Sequence, residues 1–174
     1  CSSKTTVKET DAFRFDSKTG YAYSTAPFGI DTTELESAIG SKLTMVSESP
    51  ATAPFAYTNY LSEDIVQSAG CSGKFDAQFD ENGKLFTVTF HEQLARGTAE
   101  EHFEAASKRF TETFGAPAVQ DDNGIGTQYL EWQDKSSGTA LGLTYSDLGT
   151  TDPTLMISVF EKSRYVEAGT GDWK

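Results

Sequence analysis

The chain offers little obvious equipment for chemistry: two histidines, two cysteines and 26 carboxylates. Spacing limits what they can do. A zinc helix of the H-E-x-x-H type needs its histidines four residues apart on one helical face. Here His91 and His102 are eleven apart, His91-Glu92 falls at a strand end, and Glu101-His102 opens a helix where a solvated face is expected. Asp80-Glu81-Asn82-Gly83 starts like a calcium loop, but Lys84 and His91 stand at its fifth and twelfth positions, where oxygen ligands are required. It reads as a hairpin turn. Asp121-Asp122-Asn123-Gly124 is a second acidic turn. No G-x-S-x-G elbow or phosphate loop is present, and Gly124-Ile125-Gly126 lacks the third glycine of a dinucleotide fingerprint. A carboxylate pair for glycoside hydrolysis does not stand out among so many acids. The sequence therefore assigns no catalytic residue, no metal ligand and no cofactor.

The cysteines are Cys1 and Cys71, and neither belongs to a C-x-x-C pair. Cys1-Ser2-Ser3-Lys4-Thr5-Thr6 resembles a processed bacterial lipoprotein, in which the cysteine carries lipid and a small polar segment holds the domain off the bilayer. Two or more acyl chains make such an anchor stable. The expectation is a lipid at Cys1, a membrane contact through it, and an extracytoplasmic address. Two plainer readings stand beside it: a fragment that starts at a cysteine, and a Cys1–Cys71 disulfide. Cys71 on its own reads as a packed thiol. Among the aromatics outside the clearest core stripes, Tyr57, Tyr60 and Trp173 are the candidates for anchoring a partner or stacking on a sugar. The alternative is that both tyrosines pack in a sheet with their hydroxyls wet.

Charge narrows the classes further. Fourteen Lys and Arg against 26 Asp and Glu give a net charge of −12. No basic stripe exists to displace counterions, so nucleic acid is excluded as a partner. With 37% hydrophobic and 12% aromatic residues the chain can build a core, and no run approaches the ~20 apolar residues of a membrane span.

These candidates must be held by a small set of elements. Residues 1–10 read as a tether, and Phe13-Arg14-Phe15 with Tyr21-Ala22-Tyr23 as a weak hairpin or two edge strands. Asp31 and Glu34 form a capping-box pattern for a short helix whose apolar face is Leu35, Ala38 and Ile39 and whose stop is Gly40. Thr98 and Glu101 repeat the box before a longer helix striped by Ala99, Phe103, Ala106, Phe110 and Phe114, ending at Gly115. Between the helices, Asn82-Gly83 predicts a two-residue hairpin turn pairing Phe79 with Phe86, Ala77 with Val88 and Phe75 with Phe90. The polar pairs Gln78–Thr87 and Asp76–Thr89 then share the opposite, wet face. Strands follow at 127–134, 139–145 and 155–160, and 55–61 is their counterpart in the first half. Residues 62–72 read equally as helical turn or strand, and 165–174 as a loosely held tail.

The order helix, glycine stop, three strands occurs twice, at about 28–92 and 97–162, within one α+β domain spanning 11–164. It predicts one antiparallel sheet with both helices on one face. The layout, with Phe79 to Leu85 in the hairpin and Phe114-Gly115-Ala116-Pro117 closing the long helix, resembles the tandem helix-plus-sheet halves of the β-lactamase inhibitor protein and small gut-bacterial lipoproteins. The resemblance covers residues 13–162, carries over no functional residue, and implies a binding or scaffold domain. The expected function is a non-catalytic cell-surface lipoprotein domain that binds a protein or other extracellular ligand. The alternatives are a secreted hydrolase with carboxylates in a cleft between the halves, and a structural envelope lipoprotein.

Overall fold

The computed structural model describes residues 6–68, 71–149 and 151–174, without the side chains of Ser68 and Cys71. Cys1 lies outside these residues, so the expected lipid attachment and the Cys1–Cys71 pairing fall outside them too.

Alternation of large apolar and polar residues makes the strands, and the two faces it creates decide the architecture. The elements run β1 (Val7–Thr10), β2 (Phe13–Asp16), β3 (Gly20–Tyr23), α1 (Thr32–Ile39), β4 (Leu43–Glu48), β5 (Tyr57–Ser62), β6 (Val66–Ser68), β7 (Cys71–Asp80) and β8 (Leu85–Gln93). They continue with α2 (Arg96–Phe114), β9 (Val119–Asp122), β10 (Thr127–Asp134), β11 (Thr139–Ser146), β12 (Thr154–Phe160) and α3 (Lys162–Glu167). The fold is α+β, as the sequence predicts. A nine-stranded antiparallel sheet has the order β4-β5-β7-β8-β12-β11-β10-β9, with β6 beside β7. Each half is a helix followed by a meander, and the two meanders meet through their last strands, β8 and β12.

The expected three strands per half are therefore four along the path of the sheet, with β6 as a fifth in the first half, because β4 and β9 were not foreseen. Both are edge strands, nearly all exposed, so they carry no apolar alternation to read. The first ten residues are not all tether: Val7–Thr10 pairs with β2. Nor is the N-terminal meander marginal. Phe13 and all four residues of β3 are buried, with Phe13 edge-on to Phe110, Tyr21 to Phe114 and Tyr23 to Phe75. The meander, Leu35 of α1 and the Ala99-Phe103-Ala106-Phe110 stripe of α2 all belong to one core with Phe75, Trp132, Leu141 and Ile157. These elements cover the same face of the large sheet. The C-terminal segment is not a loose tail either. It carries α3, sets Trp173 by the Lys162 ammonium, and ties the Lys174 N–H to Gln133.

Local signals explain most boundaries. Asp31 accepts the Glu34 N–H and Gly40 takes the left-handed cap of α1. α2 starts two residues before the predicted box. Its cap, Ala95, gives no side-chain bond, and the Thr98 hydroxyl instead donates to the Ala95 carbonyl. The hairpin register holds at Phe75–Phe90 and Ala77–Val88, then shifts so that Phe79 pairs with Leu85. The cause is the turn: only Gly83 has positive φ, and Asp80 N–H bonds the Lys84 carbonyl. A bulge rather than a two-residue turn closes the hairpin. The extra residue puts Phe86 against Phe55, Tyr57 and Arg164, outside the helix-side core.

Candidate functional site

Strand parity leaves the second face of the large sheet without a helix over most of its width. One row can be followed through four successive strand pairings: Lys74 to His91, His91 to Met156, Met156 to Thr144, and Thr144 to Tyr129. The neighbouring row runs Leu61, Asp76, Thr89, Ser158, Gly142, Glu131. At ~4.8 Å per strand the first row is roughly 19 Å wide. Its middle is Met156 between His91 and Thr144, its two ends are Lys74 and Tyr129, and the small residues Thr89, Ser158 and Gly142 form the middle of the neighbouring row. None of the five residues of the first row is fully buried.

Each end is organised by a hydrogen-bond cluster. On the β7–β8 side, His91 Nε2 contacts Asp76 Oδ2. These two, with Lys74, Ser72, Gln93, Leu61 and Ile65, surround or border a hollow of about 490 Å³. Its rim is apolar at Leu61 and Ile65, and Ile65 is 69% exposed. In the middle, the Thr89 and Ser158 hydroxyls share a hydrogen bond across the seam between the halves.

On the β10 side, the buried Glu131 carboxylate is the hub. It accepts from Lys162 Nζ at 2.6 Å, Gln133 Nε2 at 2.5 Å and Tyr129 Oη at 2.5 Å. A buried carboxylate is costly unless it is paired and hydrogen-bonded, and here three side chains share that work. Burial and the Glu131 carboxylate push the Tyr129 hydroxyl far above the ordinary tyrosine range. Tyr129 lies against Gly142, where an added Cβ would sit 3.0 Å from its hydroxyl. Gly142 thus lets the ring lie low on the sheet, and Glu131 fixes where its hydroxyl points.

Compared with protein-family models, with curated proteins and with solved structures, the chain matches none.

The aromatics singled out from the sequence do not converge. Tyr57 is on the open face, near Phe55 and Phe86, whereas Tyr60 is on the helix side against Phe79. Trp173 is beside Lys162, 5.9 Å from its ammonium. Tyr60 is three positions after Tyr57, an odd step, so strand alternation puts them on opposite faces. Tyr129, Met156, Thr144 and Glu131 were missed. Their signal was the same alternation that marked Gln78–Thr87 and Asp76–Thr89 as wet, followed onward through β12, β11 and β10. Among the described residues, no three His, Cys, Asp or Glu side chains gather as a metal ligand set, and no helix is long and apolar enough to cross a membrane.

Proposed function

We propose that the domain is a non-catalytic binding module whose partner is a protein held on the open sheet face, and that an acylated Cys1 ties it to the outer side of a bacterial cell membrane. The observation that carries the first part is the row Lys74–His91–Met156–Thr144–Tyr129. It is wide, is bordered by the small Thr89, Ser158 and Gly142 of the neighbouring row, has a fixed tyrosine at one end, and ends at the other in a hollow with an apolar rim. Protein interfaces favour such a pattern: aromatic, Met and polar contacts around a shallow centre. The two halves, each a helix followed by an antiparallel meander of four strands along the sheet, with β6 added beside β7 in the first, support kinship with the tandem helix-plus-sheet binding proteins that the sequence resembles. Hydrolysis by paired carboxylates is less well served. Asp76 and Glu131 are four strand spacings apart in their row, roughly 19 Å, against the ~5–10 Å of a glycosidase pair. Glu131 is also engaged by Lys162.

The test is a photo-crosslinking residue placed in native cells at Met156 or Thr144, compared with one at Ser107 on α2. The reading expects the same protein captured from both sheet positions and not from the helix. Equal capture at all three, or capture only from Ser107, refutes it. The anchor is tested separately, by the intact mass of the protein from its own cells: an increment for acyl chains on Cys1 supports it, an unmodified mass removes it.

A further inference from the structure

On the opposite side of the sheet, β8 carries a second carboxylate with a different environment. Glu92 is 5% exposed and faces α2. Its Oε1 is 3.3 Å from His102 Nδ1. Its Oε2 is buried and, among the described residues, meets no hydrogen-bond donor. Both line a hollow of about 190 Å³ between α2 and the sheet. Phe90, Leu155 and Ile157 make its floor, and His102, Ala105 and Arg109 its mouth. The mouth exists because of helical spacing. His102, Ala105 and Arg109 fall at i, i+3 and i+7 on one stripe, and the small Ala105, exposed itself, sits between the two long side chains.

The charge balance selects the ligand. Arg109 is committed to Asp11, Nε to Oδ2 at 2.5 Å, so these two charges cancel, and beside a neutral His102 imidazole Glu92 supplies a net negative charge. A metal ion finds only Glu92 and His102 as ligands there, short of the three or more a protein site needs. A guanidinium is matched by a carboxylate that offers both oxygens, and His102 already takes one. An ammonium needs a single strong acceptor. The apolar floor below the free oxygen suits a short methylene chain. A cavity of ~150 Å³ holds benzene, so this one has room for about six to eight heavy atoms.

We infer that the hollow is a binding site for a primary alkylammonium, its nitrogen on the Glu92 carboxylate and its chain over Phe90, Leu155 and Ile157. Bound there, the ligand bridges β8 and α2. The group can belong to a free amine or to a lysine side chain of a partner, and the probes separate the two.

The experiment follows amide shifts of the whole chain on titration with n-pentylamine, with n-pentanol as the uncharged analogue and Nα-acetyl-lysine methylamide as the side-chain mimic. Expected is saturable binding of n-pentylamine with Kd on the order of 1 mM, shifts centred on Glu92, His102 and Ala105, and pentanol weaker by more than about tenfold. Saturation by the lysine mimic as well assigns the site to a partner's side chain; saturation by pentylamine alone assigns it to a free amine. Two variants guard against misfolding. Glu92→Gln keeps the shape, removes the charge and should weaken pentylamine by more than about tenfold, and Ala105→Leu closes the mouth without touching Glu92 and should abolish binding. Absent saturation in the wild-type chain, equal binding of pentanol, or unchanged affinity in Glu92→Gln overturns the inference.

Discussion

Replacing Glu131 by Gln should be among the most damaging single-atom-scale changes in the molecule. The carboxylate side chain is 5% exposed and its partner Lys162 11%, so neither is much screened by solvent. The amide in Glu131→Gln would leave the Lys162 ammonium buried without a counter-charge, and would turn one acceptor oxygen into a donor facing the Lys162, Gln133 and Tyr129 donors. Breaking a buried pair in this way costs about 3–5 kcal/mol, a large part of a typical 5–15 kcal/mol stability. At roughly 2–4 °C per kcal/mol for a chain of this size, Tm should fall by about 6–20 °C. Removing both charges has a different outcome. Glu131→Leu with Lys162→Met leaves no orphaned ion and should come within about 1–2 kcal/mol of the wild type. Urea unfolding of the wild type, Glu131→Leu, Lys162→Met and the double variant, closed as a double-mutant cycle, measures the coupling. A cost under about 1 kcal/mol for Glu131→Gln, or simple additivity, would refute the reasoning and reduce the pair to a surface ion pair. The same variant has an optical readout: without the carboxylate, the Tyr129 hydroxyl should titrate at lower pH than in the wild type, read from tyrosinate absorbance.

Phe110, fully buried among Phe13, Phe114 and Trp132, should cost about 3–5 kcal/mol on truncation to Ala, read as a lower urea midpoint. Asp31→Ala removes the cap of α1 and should cost about 1 kcal/mol, with a small loss of helical circular dichroism. Gly126→Ala should be worse, since Gly126 has φ +109° and a Cβ there would lie 2.0 Å from the Asp147 carbonyl oxygen; a clear Tm drop is expected, and an unchanged Tm contradicts it. Alkaline pH should unfold the domain through Tyr21. Burial, helped by Asp134, pushes its hydroxyl up to about 12, so the folded state holds this proton more tightly than the unfolded chain with its ordinary ~10. That stability is complete below pH ~10 and is lost as pH rises toward about 12; Tyr21→Phe should flatten the loss in a Tm-against-pH series.

Periodicity made the helices and most of the long strands legible, because they bury one face and expose the other. The 3.6-residue stripe of α2 and the alternation in β7, β10, β11 and β12 are direct images of burial. Where burial is uniform, the signal vanishes. β4 and β9 are exposed nearly throughout and do not alternate in a readable way, whereas β3 was read as a strand from Tyr21-Ala22-Tyr23 and only its burial on every residue was not. The bulge beside Gly83 was hidden for another reason: Asn-Gly suits more than one turn, and the choice depends on where Phe86 finds its partners. The open face was half legible. The pairing of its polar residues on β7 and β8 was read correctly, although Thr87 and Thr89 are buried rather than wet, and the row beyond them requires knowing that β8 pairs with β12. The ion pair of Glu131 with Lys162 joins residues 31 apart in sequence, and nothing local announces it.

The seam between the halves has a kinetic consequence. Within each meander the strands pair with their sequence neighbours, so those hairpins close quickly. β8 and β12 are different: the Thr89–Ser158 bond spans 69 residues. The contacts of the N-terminal meander are more remote still, 98 residues from Asp11 to Arg109 and 118 from Tyr21 to Thr139. Such distant pairings set a slow folding rate. Within this domain β1–β3 are made before the rest and are therefore the last to be covered: Phe13, Tyr21 and Tyr23 stay exposed until α2 and β11 exist to receive them. During that interval the domain carries its stickiest aromatics on its earliest-made strands, where a holding chaperone would have to bind.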